Sequence, residues 1–227
     1  MKHKFSDNQK EGDWFLRVAE DKFRGKFVPH IPKFIETYHL TYMTVLWSLL
    51  IVLFGWLARN NINWMWMVSL MIFFQYITDL FDGAIGRYRN TGLVKWGYYM
   101  DHFLDYLFIS SIITAYSLLF PASFHLLFMG ILITTIGFLV SVYLFFSVSD
   151  KMNISFMNCG PTEIRLLLIL LNIILIFLGV DIVQKVLFYI FIVEIIILFF
   201  IVYRTQKILW RKDMTLKNHI FKEFGIK

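Results

Sequence analysis

Six apolar runs, each long enough to cross a bilayer, dominate this chain of 227 residues. They cover approximately residues 41–58, 63–81, 98–120, 124–148, 163–180 and 182–203. A spanning helix needs roughly 17–25 predominantly apolar residues to cross hydrocarbon about 30 Å thick. Backbone groups in hydrocarbon must bond to one another, which leaves helices or a closed barrel. No strand-like alternation is long enough for a barrel, and 58% hydrophobic residues exclude a disordered chain. The expected fold is an all-α membrane protein with six transmembrane helices. No internal repeat and no Gly/Pro/Ser-rich linker divides the sequence. Residues 1–40 read as an N-terminal segment, 41–203 as the six-helix transmembrane domain and 204–227 as a basic tail.

Charges between the runs set the expected orientation. Lys2, Lys4, Lys10, Arg17, Lys22, Arg24, Lys26 and Lys33 precede the first run, and Arg87, Arg89 and Lys95 separate the second from the third. Lys151 and Arg165 fall around the start of the fifth, and seven further cations follow the sixth. The alternate connections carry only Arg59 and Lys185. Cytoplasmic loops are the ones enriched in Lys and Arg. Both termini and the 82–98 connection are therefore expected in the cytoplasm, with the bacterial inner membrane as the location. The formal net charge of +6 needs no nucleic-acid partner; basic groups beside the bilayer meet anionic lipid heads. One cysteine, Cys159, excludes an intramolecular disulfide and a cysteine-built metal cage. The first 25 residues hold no apolar signal region, so the first span is expected to direct insertion.

Residues 13–27 read as a helix lying on the membrane surface. Trp14, Phe15, Val18, Ala19, Phe23 and Phe27 form one stripe, and Arg17, Glu20, Asp21 and Arg24 the other. Pro29 and Pro32 end it. Most tryptophans, Trp56, Trp64 and Trp66 among them, fall near span ends and suit interface anchoring.

Against this apolar background stand Asp79, Asp82, Asp101 and Asp105. A carboxylate near hydrocarbon is costly unless compensated, so such residues usually mark a site. Asp79 and Asp82 are three apart and Asp101 and Asp105 four apart, which puts each pair on one helix face. Consecutive antiparallel spans bring the two pairs to the same depth. Clustered oxygen donors suit hard divalent cations such as Mg²⁺ or Mn²⁺. Two such cations held by carboxylates can neutralise a diphosphate, and Arg87 offers a planar fork for phosphate oxygens. Gly83 and Gly86 permit close approach of a nucleotide. Phosphoryl transfer is the chemistry these parts suggest.

The segment DLFDGAIGRYRNTGLVKWGYYMDHFLD resembles the signature of the CDP-alcohol phosphotransferase family, integral membrane enzymes of phospholipid synthesis. Asp79, Asp82, Gly83, Arg87, Gly97, Asp101 and Asp105 stand in its register. Seven identities at fixed spacing arise by chance on the order of once per billion starts. Gly86 departs from the pattern, which has Ala there. The resemblance implies that the four aspartates hold two divalent cations, Mg²⁺ or Mn²⁺, and that Asp105 is also the catalytic general base. It assigns Asp79, Gly83, Gly86 and Arg87 to the CDP moiety. The implied partners are a CDP-alcohol donor, an alcohol acceptor and the lipid bilayer; the reading also admits a homodimer.

The acceptor stays open between a small polar alcohol, used with CDP-diacylglycerol, and a diacylglycerol-type lipid, used with CDP-choline or CDP-ethanolamine. Pro161, Thr162 and Glu163 suit a helix start, or Glu163 and Arg165 face the acceptor, one meeting a cationic group and the other an anionic one. Gly160-Pro161-x-Glu163 and His102 are similar to choline and ethanolamine phosphotransferases. Glu194, inside the sixth run, lines the same cavity or makes an interhelical bond. A small cation transporter or channel is the alternative from another class, and a catalytically altered family member a third. Clustering of all four acids at one membrane edge, without inverted repeats, disfavours the transporter.

The charge pattern makes the topology testable. With cysteines introduced singly, residues 89–95 should react with an impermeant maleimide from the cytoplasmic side and residues 121–125 from the opposite side. Cytoplasmic labelling of 121–125 would sink the model of six spans with both ends inside.

Overall fold

The computed structural model describes residues 15–90, 93–149 and 160–224. Among them are seven α-helices and no strand: α1 Arg17–Phe27, α2 Thr37–Ala58, α3 Met65–Arg89, α4 Val94–Leu119, α5 His125–Ser149, α6 Pro161–Leu178 and α7 Val180–Phe224. The last six are long and apolar enough to cross a membrane, as expected from the runs.

Helix α2 is the centre of the packing and lies along both α3 and α4. Its buried residues are Thr37, Thr41, Thr44, Ser48, Ile51, Gly55 and Ala58, spaced alternately four and three apart. That spacing keeps one stripe facing inward, and all but Ile51 are small. Small residues let helix backbones approach closely, which drives packing where lipid removes the hydrophobic incentive. At Gly55 the approach is extreme: a Cβ there would lie 2.4 Å from Ala115 Cβ and 2.8 Å from Ala115 Cα. Ile51, Met65, Val68, Ile72, Phe108, Ile112 and Leu175 fill the space around this seam. Deep in the bundle, Tyr116 donates to Asn172 Oδ1 (2.7 Å) and Asn172 Nδ2 donates to Ser69 Oγ (2.9 Å), tying α4, α6 and α3 together.

Helix ends show where local chemistry acts. His39 accepts the Glu36 backbone N–H through Nδ1 (3.0 Å) while Glu36 caps α2 in return. Helix α3 passes through Gly83 and Gly86 without a break and ends at Arg89, with Asn90 left-handed at φ 54°. The connection to α4 is thus residues 90–93, shorter than the 82–98 connection read between the apolar runs, because helix hydrogen bonding carries isolated glycines. Arg89 donates to the carbonyls of Ile31 (2.9 Å) and Pro32 (3.0 Å), fixing the proline-containing entry to α2. Gly179, at φ 81°, separates α6 from α7, a backbone conformation that favours glycine. Residues 204–224 continue α7 without interruption.

Helix α1 docks in an unexpected orientation. Glu20, placed on the water-facing stripe by the sequence, is buried, and its carboxylate receives the Tyr76 hydroxyl (3.2 Å) and the Thr162 hydroxyl. Phe15 and Val18 point away from the bundle, 89% and 66% exposed. Phe23 touches Phe81, with ring centroids 5.7 Å apart. Trp14 lies outside the described residues.

The α2–α4 contact yields a stability test. Gly55→Val should lower the midpoint of thermal unfolding in detergent, by about 1–3 kcal/mol of overpacking. The atoms in the way are Ala115 Cβ and the backbone that carries it, so the clash should outweigh the few tenths of a kcal/mol gained from helix propensity. An unchanged midpoint would show that the two backbones have room to separate.

Candidate active site

The four aspartates line one cavity together with Leu40, Thr41 and Thr44 of α2, Gln75 of α3 and Leu104 of α4. Helix α3 positions Asp79 and Asp82, and α4 positions Asp101 and Asp105; α2 closes the wall between them. Three of the carboxylates are held by donors from other helices. Asp79 Oδ2 meets Arg165 Nη2 of α6 at 2.9 Å. Asp82 Oδ2 accepts from the Thr41 hydroxyl of α2 at 2.5 Å. Asp105 Oδ2 accepts from the Tyr143 hydroxyl of α5 at 3.1 Å. Asp101 Oδ2 lies 3.8 Å from His102 Nδ1, too long for a direct hydrogen bond.

The other sequence candidates separate from this cavity lining. Gly83 and Arg87 share one face of α3, with the Arg87 guanidinium over Gly83: a Cβ there would sit 3.2 Å from Nη1. Both are exposed and Gly86 is half-buried. Glu163 is occupied at the start of α6, where Oε2 accepts the Gly160 N–H (2.9 Å) and Oε1 the Leu16 N–H (3.1 Å). Thr162 reaches Glu20 rather than capping its own helix. Arg165, by contrast, is buried against Asp79 with its guanidinium 5.8 Å from the Phe108 ring centroid. Glu194 is not among the residues that line the cavity; it accepts from Thr134 of α5 at 2.9 Å. Asn158 and Cys159, which precede the Gly160 motif, lie outside the described residues.

Sequence reading missed Thr41, Thr44, Gln75 and Tyr143. The first three had a visible signal. Thr41 and Thr44 belong to the small-residue stripe of α2, and Gln75 stands four residues before Asp79 on the same helix face. Gln75 is fully buried and its Oε1 has no hydrogen-bond partner, a position that costs about 1–3 kcal/mol unless a donor meets it. Tyr143 carries no spacing signal at all.

A sequence model of the CDP-alcohol phosphatidyltransferase family matches residues 39–203. The chain belongs to this family. The match covers well over half of the 227 residues and spans α2 to the membrane part of α7. No curated protein and no solved structure matches the chain. Membership and six apolar helices make it an integral membrane protein of a transferase family in phospholipid synthesis. Such enzymes transfer phosphate–alcohol groups and generally depend on a divalent cation.

The residues fit such a cation by their chemistry. Four carboxylates on one small cavity are hard oxygen donors, and the Arg165 guanidinium offsets one of their charges. Among the described residues, no three acidic, histidine or cysteine side chains converge tightly enough to chelate one ion as they stand. The reason is visible in the bonds above: Asp79, Asp82 and Asp105 are each turned toward a different helix.

Arg165 competes with any cation for Asp79. Arg165→Met should therefore tighten Mn²⁺ binding about tenfold or more, since a like charge several ångströms away costs a few kcal/mol at an effective dielectric of about 20. Titration of Mn²⁺ against purified protein, read by electron paramagnetic resonance, checks this. Weaker binding in the variant would show that the guanidinium organises the site instead of opposing the ion.

Proposed function

We propose that this chain transfers a substituted phosphate group from a CDP-alcohol to an alcohol acceptor in a divalent-cation-dependent reaction, releasing CMP. The observation that carries the reading is the convergence of Asp79, Asp82, Asp101 and Asp105 on one cavity in a chain of this family. Those four side chains would hold two divalent cations, Mg²⁺ or Mn²⁺. When bound, the ions neutralise the diphosphate and ease departure of CMP.

The chain's own groups do the rest. Asp105 accepts the proton of the acceptor hydroxyl as its oxygen attacks the β-phosphorus. The bond between that phosphorus and the bridging oxygen breaks, and its electron pair leaves with CMP. Asp79, Gly83, Gly86 and Arg87 bind the CDP moiety, Arg87 through its two-pronged donor geometry. Thr41 holds Asp82. Arg165 is the better supported of the two acceptor-side candidates, because Glu163 spends both oxygens on backbone N–H groups. Its cation suits an anionic portion of a substrate. The acceptor is a small polar alcohol paired with CDP-diacylglycerol, or a diacylglycerol-type lipid paired with CDP-choline or CDP-ethanolamine. Charge asymmetry supports a cytoplasmic opening, and the outward Phe15, just before α1, and Val18 of α1 support a surface-lying helix beside it.

Purified protein should release CMP from at least one of those three donors when offered the matching acceptor with Mn²⁺. Asp105→Asn preserves side-chain volume and should cut turnover at saturating Mn²⁺ by about 10²–10⁴-fold. It should leave a good part of the Mn²⁺-dependent CDP affinity, whereas Asp79→Asn should lose affinity and rate together. Near-normal CMP release by Asp105→Asn would remove it from the base role.

A further inference from the structure

Tyr143 stands on α5, a helix that contributes nothing to the aspartate motif, yet its hydroxyl donates to Asp105 Oδ2 at 3.1 Å. Its ring lies flat on the His102 imidazole, with centroids 4.2 Å apart and planes only 6° apart. Tyr98 meets the same imidazole edge-on, again at 4.2 Å. His102 is three residues before Asp105 on α4, so the imidazole and the carboxylate share one helix face. An aromatic ring stacked in this way is restricted in both side-chain torsions. The phenol O–H is thereby aimed at a single carboxylate oxygen, and donation to a charged acceptor is stronger than a neutral hydrogen bond.

We propose that Tyr143 is a positioning residue for the phosphate transfer: stacked on His102, it holds Asp105 by Oδ2 and leaves Oδ1 to take the acceptor's proton. The inference rests on Asp105 being the base of the reaction proposed above. Tyr143 undergoes no bond change itself. The proton passes from the acceptor hydroxyl to Asp105 Oδ1 as the oxygen–phosphorus bond forms. A carboxylate on a bare helix face can rotate between partners, and here Asp79, Asp82 and Asp101 line the same cavity. The hydroxyl of Tyr143 favours one orientation of the Asp105 carboxyl group among these neighbours.

Two substitutions separate the hydroxyl from the ring. Tyr143→Phe keeps the stack on His102 and removes only the donor; Tyr143→Leu removes both. In the full-length protein at saturating Mn²⁺, Tyr143→Phe should lower kcat by about 10–100-fold, the usual range for removing a partner that orients a metal-site ligand. KM for the CDP-alcohol and Mn²⁺-dependent CDP binding by calorimetry should stay within about threefold of the parent, well short of that loss. In an Asp105→Asn background, Tyr143→Phe should cost nothing further, because the oriented group is gone. A purely structural role would not give that silence.

Parent-like kcat in Tyr143→Phe with loss in Tyr143→Leu would overturn the proposal and assign the effect to packing. So would a fall in CDP affinity matching the fall in rate. An active Asp105→Asn variant would sink the base assignment and this inference with it. An inactive Asp105→Asn beside a normal Tyr143→Phe would sink the inference alone. Absence of CMP release by the parent across the donor and acceptor panel would overturn the transferase reading itself.

Discussion

Carboxylates in an apolar helix bundle must be answered by donors from neighbouring helices, and the arrangement of this protein follows from where those donors stand. Asp79 is answered from α6, Asp82 from α2 and Asp105 from α5. Glu20 of α1 is answered from α3 and α6, and Glu194 of α7 from α5. Each of the seven described helices thus holds a carboxylate or answers one. Leaving a buried polar group unmet costs kilocalories, whereas apolar contacts in lipid discriminate weakly between alternative packings. Acid–donor pairs therefore give the bundle directionality that Leu, Ile and Phe contacts cannot. The same pairs hold the aspartates at the edge of the cavity, so the contacts that fix the fold also set the starting geometry of the site.

How much of this was legible from sequence varied with the kind of signal. The six spans were legible because hydrocarbon thickness imposes a length that apolar runs display directly. The aspartate pairs were legible because charge at membrane depth is rare and their three- and four-residue spacing names a helix face. The end of α3 was less so. The apolar run stops at residue 81, but helical hydrogen bonding outweighs the propensity cost of Gly83 and Gly86 and carries α3 on to Arg89. Glu20 was misplaced for a different reason: amphipathic reasoning assigns acids to water, and no local pattern announces that Tyr76 and Thr162 wait across the bundle. Tyr143 was invisible, since one tyrosine on an apolar helix has no partner in its own vicinity. The small-residue stripe of α2 was there to be read in the alternating spacing from Thr37 to Ala58, masked by the large residues between its members.

The start of α6 joins the periphery to the chemistry. Within five residues, Pro161 opens the helix, Thr162 and Glu163 bind α1, and Arg165 reaches Asp79. One helical turn separates the docking contacts from the guanidinium. Displacement of α1 by even an ångström or two would be felt at Asp79 through a rigid segment with no loop to absorb it. Helix α1 and the aspartate cavity are in this sense one mechanical unit.

The unbroken course of α7 changes how its basic end acts. Counted from residue 203, where the apolar run stops, residues 204–224 add about 31 Å of helix at 1.5 Å per residue. Screening in physiological salt falls off over about 8 Å. Arg204 and Lys207 therefore remain within electrostatic reach of lipid heads, while Lys217 stands some 20 Å beyond the end of the run. The distal cations cannot serve as membrane glue as long as the rod stays upright. In that orientation they would stand clear of the bilayer and meet molecules that approach from the aqueous side.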